Sequence, residues 1–572
     1  MAPSDGKKTM QLDEFNSHLE EEKEFLRTQK PSVASTGKGE LLRFSSQDNL
    51  PLNAEFVDPA PEDVKWNSFG YGLYFHFLFQ GFVIKTLFSI IYPFYANYLN
   101  LDSNQYRAAS TLPLAAWSLK TIVGVVSDVW PISGQRRRPY MMLGMGFAFV
   151  PLAMITFKPV PEPYYEPVYG NGTCYLDRSS VLNADAKQQG IHYVVINTIA
   201  FMLLSFADVA ADGLKIEYSQ KEGDKQRGSI NVIIYMFLEA STICSIIFTG
   251  FLMNGVEYGG SFCFSISYQT LSAVMSSMCF VAVINGIFFV RDQKLGAVLS
   301  VKQQFKAFWS AFQSREVLQV FIVLFFWAMS IRISSPAGVK VKKNWAKVTP
   351  LITTLSQFIA TGLEIIGVWI LKKFFLNASW RKIFLFSRIL HLVTENVVEF
   401  ITIFDIYRNP YFYFADDVIS AIPEGMGHLV GGLMLIEICP KGLEALFHSL
   451  LVTSFIVGMI IGSPIANAMT SPFRISTDER YNNDSIVDRE MVAWSFVVTL
   501  VVQVLSIPLL LLLPSQKGDI EKLKSKKRFY PKTAGIFLAM VLTFFLLSFM
   551  MSVATMMPGF ACLKILGGNG CL

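Results

Sequence analysis

Ser118-Leu-Lys-Thr-Ile-Val-Gly-Val-Val-Ser-Asp128, followed by Arg136-Arg-Arg-Pro139, is the stretch whose reading decides the fold. It sets a lysine and an aspartate at the end of an apolar segment, with three arginines just beyond. The glycine lets two helices touch, and the carboxylate can pair across the loop. The basic cluster holds that loop on the cytoplasmic side of a membrane. A link of this kind between two membrane helices marks half of a transporter.

Composition extends the reading to the whole chain. Of 572 residues, 52% are hydrophobic, 16% are charged and 49 are phenylalanine. A soluble chain of this length would divide into domains joined by polar linkers. Here apolar runs of about 20 residues recur almost throughout, each long enough to cross about 30 Å of hydrocarbon. The chain therefore reads as an all-α polytopic membrane protein, with the lipid bilayer as its first partner. Its net charge of +5 sits mostly in short loops and gives no reason to expect nucleic acid. The seven cysteines show no CxxC spacing, so no metal and no cofactor is expected.

The spans are expected at 69–98, 108–127, 139–157, 191–213, 229–254 and 267–290, then at 316–336, 349–371, 383–404, 416–438, 446–470 and 491–513. This gives two six-helix bundles, residues 67–290 and 316–513, joined by a cytoplasmic linker over 291–315. Residues 1–66 are polar, with runs such as Glu20-Glu-Glu-Lys-Glu24, and read as a disordered cytoplasmic arm without a signal peptide. A basic cytoplasmic linker, 514–533, leads to an extra span at 534–557 within the terminal segment 534–572. In the linker, Val301, Phe305, Phe308 and Phe312 recur at helical spacing opposite lysine and glutamine, the pattern of an interfacial helix on the inner leaflet.

With the N-terminus inside, the positive-inside rule holds in most loops. Arg136–Arg138, Lys215, Lys221, Lys225, Arg227, Arg291, Lys294, Lys372, Lys373, Arg381, Lys382 and the lysines of 522–527 all fall on the cytoplasmic side. One loop disagrees: Lys340, Lys342, Lys343 and Lys347 fall outside. Either they line a vestibule that attracts anions, or the seventh span is misplaced. Two glycosylation sequons, at Asn171 and Asn483, land in external loops, and a third, at Asn377, lands inside. Cys174 and Cys263 lie in neighbouring external loops and either form a disulfide or remain two thiols.

Ionisable residues within hydrocarbon are costly, so each is a candidate for function. The first half offers Lys85, Lys120, Asp208, Asp212 and Glu239. Asp208 and Asp212, four residues apart, share a helix face, and Lys120 or Lys85 can pair with an aspartate. Such groups either form a buried ion pair that only holds the bundle together, or make a proton or substrate site in a central cavity. In the ninth span Arg388, His391, Glu395 and Glu399 are spaced by three, four and four and form one polar stripe, which must face protein or water. A histidine one turn from a glutamate can exchange protons near neutral pH. The alternative is a packed polar network with no role in turnover. Glu364 and Glu424 are weaker candidates of the same kind. Glycines 425, 427, 431, 432, 458 and 462 allow close helix approach and bending. No HExxH, GxSxG or Walker-type motif occurs, and nothing argues for an enzyme.

Three stretches carry a resemblance to a known family. The first is Trp117-Ser-Leu-Lys120 through Gly124, Ser127-Asp128, Pro131-Ile-Ser-Gly134 and Arg136-Arg-Arg-Pro-Tyr140. The second is Ala207-Asp208-Val-Ala-Ala-Asp212-Gly, leading on to Glu217 and Arg227-Gly228. The third is Cys439-Pro440-Lys-Gly442-Leu-Glu444-Ala445, ending in Ser463-Pro-Ile-Ala-Asn467. Over about residues 69–513 the chain resembles the folate–biopterin transporter family, a branch of the major facilitator superfamily. The resemblance implies two bundles rocking in alternating access around a central site, and transport of folates or pterins with protons. It implies that Lys120, Asp128, Asp208, Asp212 and Glu444 are the family's polar positions. Asp128, Arg136, Arg137 and Arg138, with Glu444, would then serve gating at the cytoplasmic face. The lysine-rich loop at 340–347 and the extra span lie outside the family pattern.

The first functional reading is thus a secondary active transporter of folate- or pterin-like organic anions, with Lys85, Lys120 and Arg388 neutralising the carboxylates and cavity aromatics stacking on the ring. A second is transport of another metabolite, such as S-adenosylmethionine, a nucleoside or an amino acid, for which Asp208, Asp212 and Glu395 are the better ligands. A third is a non-transporting receptor or scaffold. A monomer in the plasma membrane is the default expectation.

Overall fold

The computed structural model describes residues 68–101, 103–170, 173–222, 228–292, 301–473, 475 and 478–556. Helices dominate because hydrocarbon offers no hydrogen-bond partner, so each backbone N–H and C=O must be satisfied within its own segment. Among the described residues thirteen long helices follow one another. The first six are α1 (Gly70–Tyr98), α2 (Ala109–Val129), α3 (Arg138–Phe157), α4 (Ala186–Gln220), α5 (Ser229–Leu252) and α6 (Tyr268–Phe288). Then come α7 (Arg315–Arg332, resuming at Ala337–Trp345), α8 (Pro350–Phe375), α9 (Trp380–Ile403) and α10 (Pro410–Ile438). The last are α11 (Glu444–Phe473), α12 (Ile486–Leu512) and α13 (Pro531–Met556). Eleven of these are long and apolar enough to cross a membrane by themselves, and α7 joins them if its two parts, bent by 41°, count as one span. The 24-residue α9 does not, because Arg388, Glu395 and Glu399 fall within it. The all-α polytopic architecture read from the apolar runs is the one the chain adopts.

The bend in α7 accounts for the basic loop that broke the charge pattern. Ile333-Ser-Ser-Pro336 interrupts the helix, as expected where a proline disfavours helical geometry in the residue before it. The helix then resumes, so Lys340, Lys342 and Lys343 ride on its second part instead of in a loop. The seventh span expected at 316–336 takes in the break itself: the helix ends at Arg332 and resumes at Ala337.

Among the described residues, besides three smaller clusters, two large apolar cores hold the helices. One lies mainly among α1–α6, around Phe94, Tyr95, Met145, Phe201 and Tyr268. The other lies mainly among α7–α12, around Phe321, Phe325, Leu429, Met434 and Phe447. α13 belongs to both. Ala534, Phe537 and Val541 at its start are buried in the second core, whereas Val553 near its end packs on the first. The Phe537 ring lies 5.7 Å from that of Phe325.

The linker helix Val301–Phe312 divides its apolar stripe. Phe308 and Phe312 are buried, with Phe308 packed 5.6 Å from Phe447, while Val301 and Phe305 stay exposed. Only the exposed part of the stripe is left for an interface.

At one end of the bundle, the α3–α4 connection forms a hairpin of β1 (Tyr165–Tyr169) and β2 (Cys174–Val181). A disulfide joins Cys174 to Cys263 of the α5–α6 connection, resolving the choice that sequence left open. This is the disulfide end. The opposite end carries Arg136–Arg138 and is called the basic end. Asn483 is exposed in the α11–α12 connection at the disulfide end, while Asn171 lies outside the described residues.

Candidate functional site

At the basic end the two halves are locked by charge. The Arg137 guanidinium, fully buried, lies 2.6 Å from Asp128 of α2, 2.8 Å from Glu217 of α4 and 3.0 Å from Glu444 of α11. Burial alone would lower its proton affinity, but the three carboxylates more than reverse this and raise it above the ordinary guanidinium value. Arg136 reaches Glu217 at 3.2 Å and donates to the Gly442 carbonyl at 3.2 Å. Asp128 in turn accepts from the Leu446 amide at 2.9 Å, at the start of α11, where the first turn has free N–H groups. Arg138 turns the other way and bonds the Gly286 and Ile287 carbonyls of α6 within its own half.

Gly124 makes this closure possible. A Cβ there would lie 2.4 Å from Ser449 Oγ and 2.9 Å from the Ala445 carbonyl, so α2 and α11 touch backbone to backbone.

One layer further in, Lys120 pairs with Asp208 and stands 3.8 Å over the Trp117 ring, while Gln80 of α1 donates to the same carboxylate. Asp212 takes Lys215 at 2.6 Å and His448 of α11 at 3.2 Å. Thr121 and Thr453 hydrogen-bond across the same seam at 2.9 Å. In this conformation the charge of Lys120 is paired with that of Asp208.

Beyond this layer most of the ionisable groups are half-buried or exposed. Glu239 of α5 lies within electrostatic reach of Lys85 on α1 and of Glu364 and His428 in the other half. His428 stands 3.5 Å from Glu364, its side chain 57% exposed at the middle of a membrane-length helix. The Tyr235 hydroxyl of α5 donates to the His428 carbonyl at 3.1 Å, tying the halves at this level. His391 continues the band, 2.9 Å from Glu424 and 3.6 Å from Glu395. Arg388 follows, its guanidinium 5.5 Å over Trp327, with Nε and Nη2 buried and unbonded. Glu399 leaves the band: it is buried near the disulfide end, accepting from the Tyr413 hydroxyl at 2.6 Å. The α9 stripe therefore divides, with three residues in the band and one apart.

Sequence reasoning gave no weight to His448 and His428, nor to Gln80 and Thr453. Glu444 and His448 are four residues apart, as are Glu424 and His428, and that helical spacing was the signal available for the two histidines.

A family model described as the BT1 family matches residues 80–159 and 182–534. The chain belongs to the BT1 family. It is similar to a folate-biopterin transporter of Synechocystis, 20% identical over 443 residues that cover 76% of this chain and 80% of that one. Another relative is named probable folate-biopterin transporter 5 of Arabidopsis thaliana, 22% identical with 66% of this chain and 71% of that one covered. A third is folate transporter 1 of Plasmodium falciparum, 21% identical, covering 80% and 82%. The three stretches that carry the resemblance all fall inside the BT1 match. The β-hairpin, with Cys174, and nearly all of α13 fall outside it.

Proposed function

We propose that this BT1 family member is a secondary transporter of folate- or pterin-type compounds, working by alternating access and coupled to protons. The observation that carries the proposal is the band Lys85, Glu239, Glu364, His428, Glu424, His391, Glu395 and Arg388. It passes from one half to the other beside a seam that is locked at the basic end. Ionisable groups at this depth are costly unless they meet water, one another or a substrate. The carboxylates of the band outnumber its two fixed cations, Lys85 and Arg388, so protons on His391 and His428 would reduce the imbalance. His391 is faced by Glu395, Glu424, Arg388 and Asp416, and His428 by Glu364, Glu239 and Glu424. Imidazoles paired with carboxylates in this way are the groups suited to carry a coupled proton.

The Arg137 cluster would act as the gate. Positive loops at the basic end and a disulfide at the other support a basic end in the cytoplasm, with the N-terminus there and the plasma membrane as the location. A monomer suffices for two rocking halves. The excess of carboxylates also favours a second reading, a cation-bearing metabolite such as S-adenosylmethionine. Uptake of labelled biopterin, folate and S-adenosylmethionine at pH 5.5 and 7.5, in cells with surface expression verified, separates the two. Pterin or folate uptake that rises at acid pH is the expected result. Uptake of the sulfonium compound alone would overturn the first reading.

A further inference from the structure

The extra helix, α13, lies where the two halves meet. At the basic end it is held by the second core. Ala534, Phe537 and Val541 recur at helical spacing and are buried there, with the Phe537 ring 5.7 Å from Phe325 and 6.5 Å from Phe312. The backbone just before it is pinned to the linker: the Tyr530 amide donates to the Gln313 carbonyl at 2.8 Å, and the Arg315 amide to that of Arg528 at 3.0 Å. Toward the disulfide end the helix changes partner. It packs along the helical segment Ser103–Trp117, which runs into α2 as its outer part, and Val553 reaches the first core.

The inner part of α2, Lys120–Val129, has α11 as its partner instead. The two helices meet from Asp128 with Leu446, through Gly124 with Ser449, to Thr121 and Ser118 with Thr453. Beyond Thr453, α11 presses on its own half. A Cβ on Gly458 would lie 2.5 Å from the Phe325 carbonyl of α7, and one on Gly462 would lie 2.5 Å from that of Met329. The outer part of α2 thus has α13 beside it where the inner part has α11.

We infer that α13 is a wedge in the seam between α2 and α11, which favours the conformation closed at the basic end and must leave α2 each time the disulfide end closes. This rests on the alternating-access reading above. Two stiff halves pivoting about a central site cannot close at both ends, so closing the disulfide end brings the outer part of α2 toward the second half. α13 fills that space with packed side chains that do not compress. Its contact with α2 is made in one state and lost in the other, and such a difference is what shifts an equilibrium between two conformations. Residues 533–556 carry no charge, so the helix can move off α2 into lipid without stranding one.

The test is the rate at which a thiol in the seam becomes accessible. Thr453, 5% exposed, is replaced by cysteine in a full-length protein whose only other cysteines are Cys174 and Cys263, and its alkylation by a maleimide is followed. Alkylation should be faster by on the order of three-fold in Val553→Ala, and by on the order of ten-fold in a chain ending at Tyr530. Ile536→Ala, on the exposed face of α13, should leave the rate unchanged. Equal or slower alkylation in Val553→Ala would overturn the inference, and so would an increase in Ile536→Ala as large as that in Val553→Ala. Val553→Ala keeps the whole chain, so a shortened chain that fails to fold does not decide the outcome. The transport reading is checked separately. A disulfide between Thr121→Cys and Thr453→Cys, whose hydroxyl oxygens lie 2.9 Å apart in the parent, should stop uptake of labelled folate. Uptake that survives this cross-link would overturn rocking at the seam and the inference with it. Uptake stopped by the cross-link, with alkylation unchanged in Val553→Ala, would overturn the inference alone.

Discussion

His448 Nδ1 on α11 stands 3.2 Å from Asp212 Oδ2 on α4, joining opposite halves of the molecule one layer inside the Arg137 cluster. Asp212 has a second partner within its own helix, Lys215 at 2.6 Å, so the two sides of this contact are not equivalent. Replacing His448 leaves Asp212 paired, whereas replacing Asp212 leaves a lysine in a buried setting without its carboxylate. His448→Ala is therefore expected to cost about 1 kcal/mol of stability and Asp212→Ala about 3 kcal/mol or more. Thermal unfolding of the purified variants checks this, and equal losses would contradict it.

The Arg137 cluster should be the costliest place at which to remove one charge. Arg137 is fully buried among Asp128, Glu217 and Glu444, and removing it leaves three carboxylates in mutual repulsion. Arg137→Ala should cost about 3–5 kcal/mol, more than Arg138→Ala, whose guanidinium bonds only carbonyls of α6. The comparison of melting temperatures is direct, and a larger loss at Arg138 would refute the ordering.

Gly124→Val should open the contact of α2 with α11 without touching a charge. The first added carbon already meets Ser449 and the Ala445 carbonyl at less than contact distance, and the neighbours there include backbone that cannot give way. A cysteine pair at positions 121 and 453, whose side-chain oxygens lie 2.9 Å apart across the seam, should cross-link readily in the parent protein and slowly in the Gly124→Val background. Unchanged cross-linking would show that the seam adapts.

The Cys174–Cys263 bond closes a loop with a sequence separation of 89 residues. In the chain-entropy account a loop of that size is worth about 4.5 kcal/mol. Cys174→Ser and Cys263→Ser should each lower the melting temperature by a similar amount, and the double variant should add little more. Reductant should reproduce the shift in the parent protein only. A clearly larger loss in the double variant would mean that the two thiols act separately.

Near the disulfide end, Asp484 lies between Arg408 at 2.5 Å and Arg489 at 2.9 Å. The hydrogen bond from Arg408 is the chief cause that lowers its carboxyl from the usual 3.8 to about 2. A carboxylate held low contributes stability above its unfolded value and loses it as the pH falls through the folded one. The α11–α12 connection should therefore loosen between about pH 4 and pH 2. Protease accessibility at Tyr481–Ile486 should rise over that window in the parent, and be raised at every pH in Asp484→Asn.

The helical, membrane-spanning character of the chain, the order of its apolar segments and the uneven placement of positive loops could be read from the chain alone. The number of spans could not: thirteen were expected, and among the described residues eleven helices are long and apolar enough by themselves. A run of about 20 apolar residues has only one way to satisfy its backbone in hydrocarbon, whatever its neighbours do. The same holds for the polar stripe of α9, whose spacing requires that it turn away from lipid, and for Lys120 and Asp208, whose cost demands a partner. Which partner was another matter. That Lys120 is committed to Asp208, that Arg137 faces Glu444 across 307 residues of sequence, and that His448 meets Asp212 follow from how the halves dock. The break at Pro336, the division of the α9 stripe and the disulfide were likewise settled by packing. Helical periodicity is a property of one segment, whereas ion pairs between helices depend on distances that no single segment contains.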